Sequence, residues 1–163
     1  MKRILFLILV LASSLIQSQE TQTTTIYLIR HAEKADASKN PELSEQGVER
    51  ALRWANYFEK IPLEIFYTTL TIRTQQTISS VASTKNKEIQ FYQPVAFSLK
   101  EIAANHLGKT ILVVGHSNTI PKHINDFLGK EIYDQIDENE FGNLYTISIT
   151  DNKVHHQLTK PKL

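Results

Sequence analysis

Apolar, β-branched runs alternate along this chain with segments whose apolar residues recur every three or four positions, and this alternation limits the fold more than any other feature. The spacing predicts strands at 23–29, 65–68, 88–92, 110–114, 144–149 and 154–158, and helices at 43–61, 71–83, 99–107 and 118–128. Ser44 is a good N-cap for the first helix, and Gly129 ends the last one. Repeated strand–helix units predict an α/β fold, a three-layer sandwich with a mostly parallel sheet and helices on both faces.

The first twenty residues have a different character. Lys2 and Arg3 precede an apolar or small stretch at 4–16, and a polar segment follows at 17–20. This order predicts a secretory signal peptide, residues 1–18, with cleavage after Ser18 or Ser14. The apolar stretch is shorter than the roughly 20 residues that a membrane-spanning helix needs. We therefore expect residues 19–163 to form one exported domain, periplasmic or extracellular, with no stable membrane insertion after signal cleavage.

Composition removes several classes of function. The chain has no cysteine, which excludes disulfide scaffolds, thiolate nucleophiles and zinc–thiolate or iron–sulfur sites. Its 18 basic and 17 acidic residues leave no basic excess that would favour nucleic acid as a partner. The most acidic stretch, DQIDENE at 134–140, lacks the ordered ligand spacing of a cation site and is predicted to be a solvated loop. We expect no cofactor and no metal.

Polar residues that suit phosphate chemistry follow the predicted strands. Arg30 and His31 follow the first strand, His116 follows the strand at 110–114, and Arg73 comes shortly after the strand at 65–68. Ligands of such sheets bind at the carboxyl ends of the strands, so these residues should meet. Two guanidinium groups can clamp a dianion and keep a nearby imidazole neutral, and a neutral imidazole is a nucleophile. A second histidine can donate a hydrogen bond to the phosphoryl oxygens.

Four motifs carry a resemblance to a known family. They are Arg-His-x-Glu at 30–33, Leu-Ser-x-x-Gly at 43–47, the Thr-x-x-x-Arg-Thr-x-x-Thr segment around Arg73, and Val-Val-Gly-His-Ser-Asn at 113–118. In this order, from 25 to about 149, the chain resembles the histidine phosphatase superfamily, with its phosphoglycerate mutase-like fold, and its length resembles the compact, branch 1 type. The resemblance implies that His31 is the nucleophile that becomes phosphohistidine. It also implies that Arg30, Arg73 and His116 complete the phosphate pocket.

The general acid is the part of the site that the resemblance does not supply. In many members a carboxylate between the second arginine and the second histidine protonates the leaving oxygen. Between Arg73 and His116 this chain has only Glu88 and Glu101, and neither lies in a motif that can be aligned. Glu33, two residues after the nucleophile, is therefore the first candidate, and Glu101 is the second, because a general acid must reach the leaving group.

Three functions remain open at this point. The first is a secreted, metal-independent phosphatase that acts on a small phosphorylated substrate, a phosphomonoester. The second is a phosphate-binding or sensing module of the same fold with little catalytic activity. The third is an intracellular-type mutase or phosphohistidine phosphatase whose N-terminus is not processed. Outside the site, His123 is predicted to lie on the surface and Asn118 to cap a helix.

Overall fold

The computed structural model describes residues 22–163, which form a six-stranded sheet with helices on both faces. The predicted signal peptide, residues 1–18, lies outside the described residues. The strands are β1 (Thr23–Arg30), β2 (Ile65–Thr68), β3 (Ile89–Phe91), β4 (Thr110–Gly115), β5 (Leu144–Thr150) and β6 (Lys153–Thr159). The helices are α1 (Glu45–Tyr57), α2 (Ile72–Lys85), α3 (Leu99–Asn105) and α4 (Thr119–Leu128), with a 3₁₀ turn at Pro94–Ala96.

The strand order across the sheet is β3-β2-β4-β1-β5-β6. The first four of these strands run parallel, whereas β5 is antiparallel to β1 and forms a hairpin with β6. The predicted α/β fold with a mostly parallel sheet is thereby confirmed. Because β1, β2 and β4 are parallel neighbours, their carboxyl ends lie at the same edge of the sheet, and the chain crosses from strand to helix there.

The core is split by the sheet into two apolar layers. Neighbouring residues of one strand point to opposite faces, so Ile111 and Val113 of β4 pack with α3 and α4, whereas Leu112 and Val114 pack with α1 and α2. All four side chains are fully buried. Each such side chain contributes about 1.5–3 kcal/mol on leaving water. The central strands therefore contribute strongly to the apolar core on both faces of the sheet.

The start of α1 is fixed against the segment that follows β1. The Ser44 side chain accepts a hydrogen bond from the Gly47 N–H at 3.1 Å, which confirms the predicted N-cap. Ser44 N–H in turn donates to the Glu33 carbonyl at 3.0 Å. A Cβ on Gly47 would overlap that same carbonyl. Glycine is thus required at this position of the Leu-Ser-x-x-Gly motif because a backbone oxygen occupies the space of a side chain.

Two details of the helices differ from the sequence predictions. The spacing of apolar residues in 43–61 predicts Val48 and Leu52 on the buried face of α1. They are instead 48% and 55% exposed, because the helix turns Ala51, Trp54 and Ala55 inward. The surface position predicted for His123 is also wrong. Its side chain is 5% exposed, since α4 turns Ile120, His123 and Ile124 toward the sheet together.

Among residues 22–163, no helix has the length and apolar character needed to cross a membrane.

Candidate active site

The carboxyl ends of β1, β2 and β4 bring the two predicted histidines to one place. Arg30 and Gly115 are register partners at the ends of β1 and β4, and the His31 N–H donates to the Gly115 carbonyl at 2.9 Å. The rings of His31 and His116 then lie 5.5 Å apart, centre to centre. Both line a cavity of about 520 Å³, together with Arg73 from the first turn of α2. We call this space the histidine cavity.

His31 is held as a neutral imidazole with a defined orientation. Its Nδ1 lies 2.7 Å from the Ala32 carbonyl, to which it can only donate, so the proton is on Nδ1 and the lone pair on Nε2. Burial lowers the pKa of His31 to about 3, and the positive charges of Arg73 and Arg30 act in the same direction. At neutral pH, Nε2 therefore carries a free electron pair, as a nucleophile requires.

His116 is held just as firmly, by partners on β2 and α2. Arg73 Nη2, which can only donate, lies 3.3 Å from His116 Nδ1, so Nδ1 accepts and Nε2 carries the proton. That Nε2–H donates to Thr69 Oγ1 at 3.0 Å. Thr69 follows β2 directly and is itself fixed by Thr74 at 2.9 Å. Burial lowers the pKa of His116 to about 4, with Arg73 and Arg30 contributing further.

Arg73 offers donors without a partner. Its Nε and Nη1 are buried, and neither has a hydrogen-bond partner within residues 22–163. Unpaired buried donors on a charged group are costly unless an acceptor occupies them. Guanidinium N–H groups match the oxygens of a phosphoryl group in both charge and geometry. The arrangement thus suits an anion bound next to the two histidines.

Arg30 has a different environment from that of Arg73. Its side chain is 1% exposed and does not line the histidine cavity. Nη1 donates to the carbonyls of Asp137, Glu138 and Glu140 at 2.8, 3.1 and 2.9 Å, and the Phe141 ring centre lies 4.3 Å from Cζ. Residues 134–140 form a loop that is mostly exposed, as predicted, but these three carbonyls bind a buried guanidinium, which the sequence did not predict. We call this segment, 134–140, the acidic loop.

The two predicted acids do not reach the histidine cavity. Glu33 accepts three hydrogen bonds from Arg50 of α1, at 2.6 to 2.9 Å, and lines a separate cavity of about 640 Å³ beside Phe141. Glu101 is exposed on the first turn of α3 and is not among the residues that line the histidine cavity. Glu33 turns away because the chain after β1 is drawn toward α1.

The structure places a different carboxylate in the histidine cavity. Glu138 Oε1 accepts from Ser117 Oγ at 2.7 Å, and Oε2 accepts from Arg30 Nη2 at 2.8 Å. The Ser117 hydrogen bond, followed by the charges of Arg30 and Lys34, lowers the pKa of Glu138. In the sequence, Glu138 is distinguished only by its place in the acidic run, and loops of that composition are usually solvated. Lys34, Asn118 and Gln135 complete the polar rim.

Other predicted residues lie near this edge without entering the chemistry. Asn118 precedes α4 as its N-cap, but its side chain makes no capping hydrogen bond. Thr119 Oγ1 instead accepts from the His116 N–H at 3.4 Å. Within the described part of the chain, no three histidine or carboxylate side chains are grouped as metal ligands would be.

The edge of the sheet, with its two neutral histidines, defines an α/β protein with an anion site centred on histidine. Comparisons with known proteins agree with this fold and with a histidine at the site. A family model, the histidine phosphatase superfamily (branch 1), matches residues 26–96, which include His31 and Arg73. A search of curated proteins finds no significant match. Residues 26–96 of this chain are therefore similar to the histidine phosphatase superfamily, branch 1. This similarity supports a phosphatase that works through histidine.

Solved structures with the same fold have low sequence identity to this chain. A phosphoserine phosphatase mutant from Entamoeba histolytica, in complex with phosphoserine, is 18% identical, with a TM-score of 0.66 over 83% of this chain and 95% of that one. YhfR from Bacillus stearothermophilus is 16% identical, with a TM-score of 0.68 over 86% and 98%. The proposed phosphohistidine phosphatase SixA from Agrobacterium tumefaciens is 18% identical, with a TM-score of 0.62 over 84% and 98%. At these identities the likeness concerns the fold.

Proposed function

We propose that this protein hydrolyses phosphomonoesters through a phosphohistidine intermediate on His31, without a metal ion. One observation carries the proposal. A neutral imidazole, with Nδ1 bonded to the Ala32 carbonyl at 2.7 Å, lines the same cavity as Arg73, whose Nε and Nη1 have no partner among the described residues. A nucleophile and unused anion donors therefore meet in one space, as phosphoryl transfer requires.

In the first step the substrate phosphate binds to Arg73 and His31 attacks it. The Nε2 lone pair forms the N–P bond, and the P–O bond breaks with its electron pair leaving on the ester oxygen, which then takes a proton from solvent. The ring becomes positively charged as the bond forms, and the Nδ1–H to Ala32 hydrogen bond stabilises this charge. The same hydrogen bond keeps the ring from rotating, so Nε2 is already oriented for attack.

His116 supports the transferring group. With no ligand, its Nδ1 accepts from Arg73. A dianion in the cavity favours the protonated imidazole, because an opposite charge nearby stabilises the charged form. Protonated Nδ1 then donates to a phosphoryl oxygen, while Nε2–H keeps its bond to Thr69. In the second step, water attacks the phosphorus and releases His31 and inorganic phosphate.

Phosphate release from an aryl phosphate by the purified protein tests this proposal. Turnover should survive EDTA and disappear in His31→Ala, and an acid-labile phosphoenzyme should form in the wild type only. His155→Ala is a matched control, since His155 is an exposed histidine of β6 outside the site. Turnover by His31→Ala would overturn the phosphohistidine route, and loss of turnover in EDTA would overturn metal independence.

Export is a second part of the proposal. It is supported by the basic start, the short apolar stretch and the polar segment that follows it, all within residues 1–20. The mass of the protein isolated from its native cells tests it, since cleavage after Ser14 or Ser18 removes a defined segment. An intact N-terminus on protein found in the cytosol would favour the unprocessed, intracellular alternative.

A phosphate-binding or sensing role is the alternative, and one observation favours it. Neither predicted acid reaches the histidine cavity, since Glu33 is bound by Arg50 and Glu101 is exposed elsewhere. A binding module would be stabilised against heat by phosphate. It would show no turnover of any ester, so the aryl phosphate assay separates the two roles.

A further inference from the structure

We propose that Glu138 is the general base that takes a proton from the water attacking phospho-His31. This inference rests on the proposed function and names the group that would serve its second step. Among the described residues that line the histidine cavity, Glu138 supplies the only carboxylate. The cavity is large enough to admit water next to a phosphoryl group, because a water molecule needs only about 30 Å³.

The contacts of Glu138 connect it to both histidines through their chain neighbours. Its Oε2 accepts from Arg30, the residue before His31, and its Oε1 accepts from Ser117, the residue after His116. Each carboxylate oxygen has two lone pairs, so both can accept a further hydrogen bond from water. The carboxylate is thus oriented by the two strand ends that hold the reacting groups.

The surroundings keep the carboxylate in place and open to solvent. Arg30 Nη1 binds three carbonyls of the acidic loop, which fixes the backbone that carries Glu138. The Glu138 side chain is nevertheless 60% exposed, whereas that of Arg30 is 1% exposed. A proton taken from water can therefore pass on to bulk solvent after each turnover.

The proposed step balances. The water oxygen forms a bond to phosphorus as one of its protons moves to Glu138, and the P–Nε2 bond breaks with its electron pair returning to His31. The products are inorganic phosphate and the neutral imidazole, and the proton leaves Glu138 for solvent. The Ser117 and Arg30 hydrogen bonds, which lower the pKa of Glu138, keep it ionised, as a base must be. The same ionisation makes it unsuitable as the acid of the first step.

The test compares Glu138→Gln with the wild type by rapid-quench kinetics on 2,4-dinitrophenyl phosphate. This leaving group needs no proton, so the phosphoenzyme forms quickly and its lifetime reports the second step. We expect the lifetime of the phosphoenzyme to lengthen by about 100-fold, the usual contribution of a general base. We expect kcat/KM, which reports transfer to His31, to stay within about threefold of the wild type. Glutamine keeps the size of the side chain, and circular dichroism checks the fold.

Glu140→Gln is the matched control, because Glu140 lies on the same loop but pairs with Lys160 and lines the other cavity. It should change neither quantity. An unchanged phosphoenzyme lifetime in Glu138→Gln would overturn the proposal. A fall in kcat/KM would also overturn it. An equal fall for all leaving groups would show that Glu138 positions Arg30, whereas a fall that grows for poorer leaving groups would assign Glu138 to the first step. Turnover by His31→Ala, or no turnover in the wild type, would instead refute the proposed function itself.

Discussion

Two glutamate–arginine pairs flank the nucleophile, and they are built in opposite ways. Glu33 and Arg50 join the segment after β1 to α1, and their side chains are 11% and 20% exposed. Glu138 and Arg30 join an exposed carboxylate to a buried guanidinium. Both members of the first pair line the cavity beside Phe141, whereas only Glu138 of the second pair lines the histidine cavity. Closeness in sequence to the nucleophile therefore does not decide which carboxylate reaches it.

The largest expected effect comes from breaking the second pair at its buried end. Arg30→Ala removes the anchor of the acidic loop and one of the two cations that surround His31. We expect kcat for an aryl phosphate to fall by about 100-fold, because the released loop no longer holds the proposed base Glu138 in the histidine cavity. Arg50→Ala is the comparison and should keep kcat within about threefold. Equal losses in the two variants would contradict the distinction between the pairs.

Gly47→Ala disturbs the packing of the segment that carries Glu33, a member of the first pair. The added methyl group would overlap the Glu33 carbonyl, so the segment after β1 must move away from α1. We expect the free energy of unfolding, measured in urea, to fall by about 1–3 kcal/mol, as for other overpacked sites. Gln46→Ala, at an exposed neighbour, should change it far less. Unchanged stability in Gly47→Ala would show that this close approach is not needed.

The pH dependence of the free energy of unfolding tests whether His31, which the two pairs flank, is neutral in the folded protein. Its pKa is about 3 in the folded protein, against an ordinary value of 6.5, so below pH 6.5 the unfolded chain binds a proton that the folded chain does not. Stability should therefore fall as the pH drops from 6.5 toward 4, by up to about 1.4 kcal/mol per pH unit for this one group. His31→Gln should show a shallower slope in urea unfolding at a series of pH values. A slope equal to that of the wild type would contradict a neutral His31.

Glu33→Gln has the smallest expected effect on activity. Its carboxylate is fully engaged by Arg50 and lines the other cavity, so it does not meet the leaving group. We expect kcat/KM to stay within about threefold of the wild type even for a poor leaving group. A loss of kcat/KM that grows as the leaving group becomes poorer would identify Glu33 as the general acid. The first pair, and not only the second, would then take part in the reaction.

The elements of the fold could be predicted because their signals are local. Strand runs, the Ser44 cap and Gly129 each depend on residues a few positions apart, and parallel strands place His31 and His116 together by topology alone. The exposure of Val48 could not be predicted, because the face that α1 buries depends on where α2 packs. Glu138 could not be predicted either, because it contacts Arg30 across 108 positions of sequence.

The position of the site in the sheet has a consequence for native-state hydrogen exchange. His31 and His116 follow β1 and β4, the two central strands, whose amides should exchange only on global unfolding. The acidic loop is outside the sheet and is held to it through Arg30, Ser117 and the buried side chain of Ile136, so it can open in a smaller, sub-global fluctuation. Such an opening would separate Glu138 from the cavity while the phosphate-binding groups stay folded. The two half-reactions would then have different thermal limits, with hydrolysis of the phosphoenzyme failing at a lower temperature than its formation.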